Sequence, residues 1–135
     1  MIRDSARRVL IMDPDPLFSS KLNAVLSSRG YEVETAGCLA TAVERLRDVD
    51  FDCVIMDEAL PEIKGYDAVP ILQAFFPDIP IIMTATKNTP ALESRIRCQR
   101  VFFYYVKSFE IGEIQMAVDD AFRSMGRGIA APGRR

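Results

Sequence analysis

The chain contains no histidine. That absence excludes histidine-ligated metal centres, Ser-His-Asp triads and any role as a phosphohistidine donor. Cysteine is scarce: Cys38, Cys53 and Cys98 stand far apart, odd in number and without a CxxC pair. Neither a zinc site nor a redox pair is indicated, and reduced thiols are expected, with Cys53 part of a buried strand. Long hydrophobic runs are missing too. The apolar stretch after MIRDSARR is Val9 to Met12, and the others are also of strand length. These are too short for a signal peptide or a membrane span, so a cytoplasmic chain is expected. Nor is there an excess of basic charge. The net charge of -2 argues against general nucleic-acid binding, which favours a strongly basic domain.

What is present is ordinary for a globular protein. The 135 residues are 49% hydrophobic and 27% charged, which fits one domain able to bury a core without disulfides. Apolar periodicity alternates between strand and helix along the whole chain. Val9 to Met12 reads as a short buried strand. Phe18, Leu22, Val25 and Leu26 then follow helical spacing, and Gly30 suits the stop. Tyr31 to Ala36 is a second strand, and Leu39, Ala42, Val43 and Leu46 mark a second helix. Phe51 to Met56 is the third strand. A helix from Tyr66 to about Phe76 follows Gly65, with Pro70 inside it as a point of shortening or kinking. Ile79 to Thr84 is the fourth strand, and Pro90 opens a fourth helix at its first turn. Val101 to Val106 is the fifth strand, and Ile114, Val118, Ala121, Phe122 and Met125 line one face of a last helix. Residues 1–7 read as an N-terminal extension, 8–125 as the domain, and 126–135, GRGIAAPGRR, as a flexible tail or linker.

Strands alternating with helices imply an α/β fold, a parallel sheet covered on both faces. In such folds the site forms outside the carboxyl ends of the strands. Asp13 and Asp15 follow the first strand, Asp57 and Glu58 the third, Thr84 ends the fourth and Lys107 follows the fifth. Clustered carboxylates repel unless their pKa values rise or a cation joins them. An all-oxygen set suits magnesium. Lys107 adds a point charge suited to phosphate and Thr84 a hydroxyl donor. Together they match phosphoryl transfer, in which a carboxylate can itself be the nucleophile.

In order along the chain, these residues resemble the receiver domain of two-component response regulators. The resemblance covers roughly Arg8 to Met125. It is carried by Val9-Leu10-Ile11-Met12-Asp13, by DEALPEIKG (57–65) with its aspartate, Pro61 and Gly65, by Thr84-Ala85, by Lys107-Ser108-Phe109, and by Tyr104 at the switch aromatic three residues before the lysine. It implies a single flavodoxin-like, doubly wound domain with a five-stranded parallel sheet in the order 2-1-3-4-5 and five helices. It implies that Asp57 accepts a phosphoryl group from a histidine kinase, a phosphotransfer protein or a small phosphodonor. Magnesium is then held by Asp13, Asp57 and the Ala59 carbonyl, and Thr84 and Lys107 contact the phosphoryl oxygens. Thr84 and Tyr104 shift and alter the face of helix four, strand five and helix five, where a downstream protein docks. Catalytic turnover is not implied beyond self-phosphorylation.

The chain departs from the family at three places. Pro14 stands where the second metal-binding acid usually lies. Asp15 is extended because Pro16 follows it, which leaves it two roles, as an extra magnesium ligand or as the cap of the first helix. Ser108 replaces the family's proline, so a trans Lys107–Ser108 bond is expected. Arg100 replaces a glycine before VFFYY, whose aromatics either pack at a sheet edge or form a partner surface. Arg95, Arg97 and Arg100 on helix four and Glu110, Glu113, Asp119 and Asp120 on helix five suggest either solvated faces or cross-pairing in a homodimer. Two other readings stay open. One is a pseudo-receiver that binds partners without phosphorylation. The other is a phosphatase, since Asp13-Pro14-Asp15 resembles the DxD motif of haloacid-dehalogenase-type enzymes.

Overall fold

The computed structural model describes residues 6–107 and 110–126. Its elements are β1 (Arg8–Met12), α1 (Pro16–Ser28), β2 (Glu32–Ala36), α2 (Leu39–Asp48), β3 (Cys53–Asp57), α3 (Gly65–Phe75), β4 (Ile81–Ala85), α4 (Pro90–Arg97), β5 (Phe103–Val106) and α5 (Gly112–Gly126). All strand pairs are parallel and the order is β2-β1-β3-β4-β5.

Successive side chains of a strand point to opposite faces, so each buried strand feeds two cores. Leu10, Met12, Val54, Met56, Ile81 and Met83 pack with Ala42 and Leu46 of α2, Val69 and Leu72 of α3 and Ile96 of α4. Val9, Ile11, Cys53, Ile55, Ile82 and Tyr105 pack with Leu22 and Leu26 of α1 and Ile114, Val118 and Phe122 of α5. Both faces of β1, β3 and β4 are thus apolar, which is why they read as unbroken hydrophobic runs. Burial raises the Cys53 thiol far above its usual range, so it is an inert core residue.

β3, β4 and β5 each begin two residues later than expected, and β3 and β4 end one residue later. Pro80 has no N–H to give to a ladder, so β4 starts at Ile81 and takes in Thr84 and Ala85. β3 follows its partner and includes Asp57, the register mate of Thr84. Phe102 N–H still reaches the Ile81 carbonyl at 2.7 Å, but the regular ladder of β5 begins at Phe103.

Two glycines have conformational reasons. Gly30, past the end of α1, has φ 91°, the left-handed stop of a helix. At Gly65 a Cβ would lie 2.6 Å from the Asp57 carbonyl oxygen and 2.8 Å from the Glu58 Cα, so α3 can start against the end of β3 only without a side chain.

Pro70 does not break α3, which runs through it without interruption. The N–H that Pro70 lacks is the one Tyr66 carbonyl would accept. Gln99 Nε2, just after α4, donates to that carbonyl at 2.9 Å instead. At the other end of the chain, the expected extension is partly tied down. Glu32 N–H donates to the Arg7 carbonyl at 2.8 Å, and the Arg7 guanidinium lies over the Phe122 ring. The tail expected at 126–135 falls, beyond Gly126, outside the described residues.

Candidate functional site

The site is built from the carboxyl ends of four adjacent strands. Asp57 and Thr84 are register partners on β3 and β4, which fixes their spacing by sheet geometry. Thr84 Oγ1 donates to Asp57 Oδ1 at 3.1 Å. The other carboxylate oxygen, Asp57 Oδ2, accepts the Ala59 N–H at 2.9 Å. Lys107 follows β5, and its backbone N–H continues the ladder to the Ala85 carbonyl at 2.8 Å. Its ammonium then lies 2.8 Å from Asp13 Oδ2 and 3.1 Å from Asp57 Oδ1. The expected gathering of Asp13, Asp57, Thr84 and Lys107 is therefore present, and all four are largely buried, Lys107 least so at 11% side-chain exposure.

Electrostatics hold the cluster together. Burial pushes the Asp13 carboxyl up, with Asp57 nearby adding to the rise, while Lys107 and the Asp15 N–H pull it down without reversing it. Burial works against the Lys107 charge, but bonding to Asp13 and the charge of Asp57 outweigh it and its pKa is raised. One lysine thus faces two buried carboxylates.

MDPDP, residues 12–16, resolves into two parts. Asp13 Oδ1 accepts the Asp15 N–H at 2.8 Å. Asp15 is extended, with φ -86° and ψ 108°, and caps α1 by accepting the Leu17 N–H, with Pro16 at the first helical position. Its exposed side chain is thereby turned to the helix. Of its two expected roles, the cap is the one seen.

Asp13 Oδ2 is buried, with the Lys107 ammonium 2.8 Å away and no further hydrogen-bond donor. Such an oxygen suits a cation, and magnesium is commonly held by one or two carboxylates completed by water and phosphate. Asp13 and Asp57 fit that donor set. A larger one is absent, because no group of three or more acidic or cysteine side chains suited to a metal occurs among the described residues.

Tyr104, which the sequence resemblance places at the switch position, donates its hydroxyl to Asn88 Oδ1 at 2.7 Å. Asn88 Nδ2 in turn donates to Glu93 at 2.8 Å, and Glu93 pairs with Arg97. In the aromatic run, Tyr105 is buried, Phe103 and Tyr104 pack at opposite core margins, and Phe102 is exposed. Several of the charges for which solvated faces or cross-pairing between copies were both open are engaged within the chain. Arg97 holds Glu93, Asp119 holds Arg29, and Asp120 holds Arg123. Arg95 lies over the Tyr66 ring. Ser108 and Phe109, and with them the expected trans bond, lie outside the described residues.

Three contributors escaped sequence reasoning. Phe18 was expected only as part of a helix stripe, yet Lys107 Nζ sits 4.4 Å from its ring centroid. Glu62 accepts the Leu39 and Ala40 N–H groups at 3.1 and 3.3 Å, capping α2 from the loop after Asp57. Asn88 was unmarked by any pattern.

Comparison with known proteins decides the family. Residues 9–119 match the model of the response regulator receiver domain. The chain belongs to that family. This receiver domain is a unit of phosphorelay signal transduction. It is 29% identical over 120 residues to the DNA-binding transcriptional regulator NtrC of Azospirillum brasilense, covering 89% of this chain and 25% of that protein. The receiver domain thus spans about a quarter of the length of such curated relatives. Among solved structures, a CheY-like receiver domain protein from Methanospirillum hungatei superposes with a TM-score of 0.85 at 18% identity, covering 93% of this chain and all of that one. A putative response regulator from Chloroflexus aurantiacus superposes with a TM-score of 0.80 at 25% identity, covering 87% of this chain and 98% of that one. No helix among the described residues is long and apolar enough to cross a membrane.

Proposed function

We propose that this receiver domain accepts a phosphoryl group on Asp57 and uses the event to change a protein-docking face. The observation that carries the reading is the geometry at one carboxylate. Asp57 Oδ1 is held by the Thr84 hydroxyl and the Lys107 ammonium, and Oδ2 by the Ala59 N–H. Phosphoryl transfer asks the protein mainly to position groups and offset charge. Asp57 supplies the attacking oxygen, the bond to the donor's leaving group breaks, and an aspartyl-phosphate forms. Lys107 and Thr84 are placed to contact the new phosphoryl oxygens. Asp13 and Asp57 would hold magnesium with the Ala59 carbonyl and water, and the ion, when bound, offsets phosphoryl charge.

The donor is a histidine kinase, a phosphotransfer protein or a small phosphodonor. The output is contact with another protein through α4, β5 and α5, where the Tyr104–Asn88–Glu93 chain lies. A homodimer through that face would draw on Arg97, Asp119 and Asp120, which already pair internally, so a different partner is favoured. The cytoplasm is the compartment that suits this chemistry. Turnover beyond self-phosphorylation is not part of the reading, and the phosphorylation-independent alternative has no specific support.

Incubation with acetyl phosphate and magnesium tests the proposal. A phosphoryl mass increase mapped to Asp57 is expected, and Asp57→Asn abolishes it. No uptake by the wild type, or the same uptake by Asp57→Asn, rejects it. Hydrolysis of a phosphomonoester that disappears in Asp13→Asn would instead point to a phosphatase.

A further inference from the structure

Lys107 is held on more than its two acidic sides. Its ammonium bonds toward Asp13 and Asp57 at 2.8 and 3.1 Å, and it faces the Phe18 ring at 4.4 Å. The ring has a second, aromatic neighbour. Phe18 and Tyr105 stack with centroids 6.4 Å apart and planes 28° apart. Tyr105 and Lys107 are two residues apart at the end of one strand, so their side chains leave β5 on the same side. One ring of α1 therefore spans both.

The ring's position follows from the helix start. Asp13 accepts the Asp15 N–H, Asp15 caps α1, and Pro16 begins it, which places Phe18 in the first turn. The segment that carries the acid to the pocket thus also sets where the aromatic face stands. A cation over a ring face, shielded from water, is attracted by the ring quadrupole. A four-carbon lysine side chain otherwise has many rotamers, several of them pointing to solvent.

We propose that Phe18 is a positioning residue that fixes the Lys107 ammonium against Asp57 for phosphoryl transfer. The functional half of this rests on the phospho-acceptor reading above; the geometric half does not. Phe18 touches no reacting atom and acts through Lys107.

The experiment compares Phe18→Leu, which keeps apolar bulk, with Phe18→Tyr, which keeps the ring. Phosphorylation of Asp57 by acetyl phosphate with magnesium is timed, and the Lys107 ammonium is followed by nitrogen-15 NMR as a solvent-exchange signal. Thermal melting shows whether each variant is folded. Phe18→Leu is expected to slow phosphorylation about 3- to 10-fold at saturating donor. It should also broaden or erase the ammonium signal, while Phe18→Tyr stays near wild type in both. Unchanged rate and ammonium signal in Phe18→Leu overturn the proposal. So does an equal loss in both variants, which would mean general packing. If wild type takes up no phosphoryl group yet the ammonium signal depends on the ring, the positioning of Lys107 stands and the phospho-acceptor reading fails.

Discussion

Gln99 supplies to the Tyr66 carbonyl the hydrogen bond that Pro70 cannot, at 2.9 Å. A helix-breaking residue in α3 is thereby tolerated through a side chain just beyond α4. Gln73 Nε2 makes a parallel link to the Arg100 carbonyl at 2.8 Å. The two amides fasten the end of α4 to α3.

This pairing predicts non-additivity. Gln99→Leu leaves a helix carbonyl without a donor and should lower stability by about 1 kcal/mol. Pro70→Ala returns the backbone N–H, so in that background the same substitution should cost much less. Urea unfolding of the four proteins checks it, read as midpoint shifts at constant slope. Equal costs in both backgrounds would rule out the substitution of one donor for another.

Lys107 is the only ammonium on the buried carboxylates Asp13 and Asp57 among the described residues. Lys107→Met leaves them uncompensated and should destabilise the domain by about 3 kcal/mol at neutral pH. Adding Asp13→Asn should recover part of that loss. The deficit should also shrink as the pH is lowered, because protonation of Asp13, whose pKa burial already raises, relieves the repulsion. Chemical denaturation at pH 7 and at acid pH measures both effects.

Tyr31 donates its hydroxyl to Asp119, which also binds Arg29 and Gln115. Burial first, then the hydrogen bond to and charge of Asp119, raise the phenol to about 12, against smaller pulls from Arg29 and Arg123. The folded state therefore keeps a proton that the unfolded chain loses near its ordinary value of about 10. The resulting stability is whole below about 10 and falls as pH rises through the window to about 12. Tyr31→Phe should flatten this alkaline limb in a series of melts, leaving the parts due to Lys107, Cys53, Tyr104 and Tyr105, whose pKa values are also raised. An unchanged limb would place the alkaline sensitivity elsewhere.

Cys38, at the cap position of α2, makes no capping bond, and Glu62 does so from a distance. Glu62→Ala should speed amide exchange at Leu39 and Ala40 while other α2 amides change little. The bonds to the Leu39 and Ala40 amides, the first of them foremost, hold the Glu62 carboxyl below its usual pKa. Its capping is present above the ordinary carboxylate range and is lost as pH falls through the lowered value. Wild-type exchange at these amides should then approach that of the variant.

The alternation of elements was legible because each buried strand is apolar on both faces and each helix on one. Asp13, Asp57, Thr84 and Lys107 were legible because each stands at a strand's carboxyl end, where a parallel sheet collects side chains. Element edges were less so. Whether Ile79 or Ile81 begins β4 depends on a neighbour needing a donor that Pro80 lacks. Asp15 left two roles open until its Leu17 bond was seen. Glu62, Asn88 and Gln99 carry no local pattern at all, since each earns its partner only from the meeting of distant segments. Phe18 had a pattern, but a helix stripe does not say which residue ends beneath an ammonium.

Asp57 and Thr84 face one another across the β3–β4 ladder, at the heart of the sheet. Their alignment therefore does not depend on any loop that can fray on its own. Moving the two backbones out of register requires parting the central strands, which belongs to global unfolding. Warming toward the melting point should keep these two positions in register until the whole molecule goes, so that loss of their pairing and loss of cooperativity coincide at one temperature.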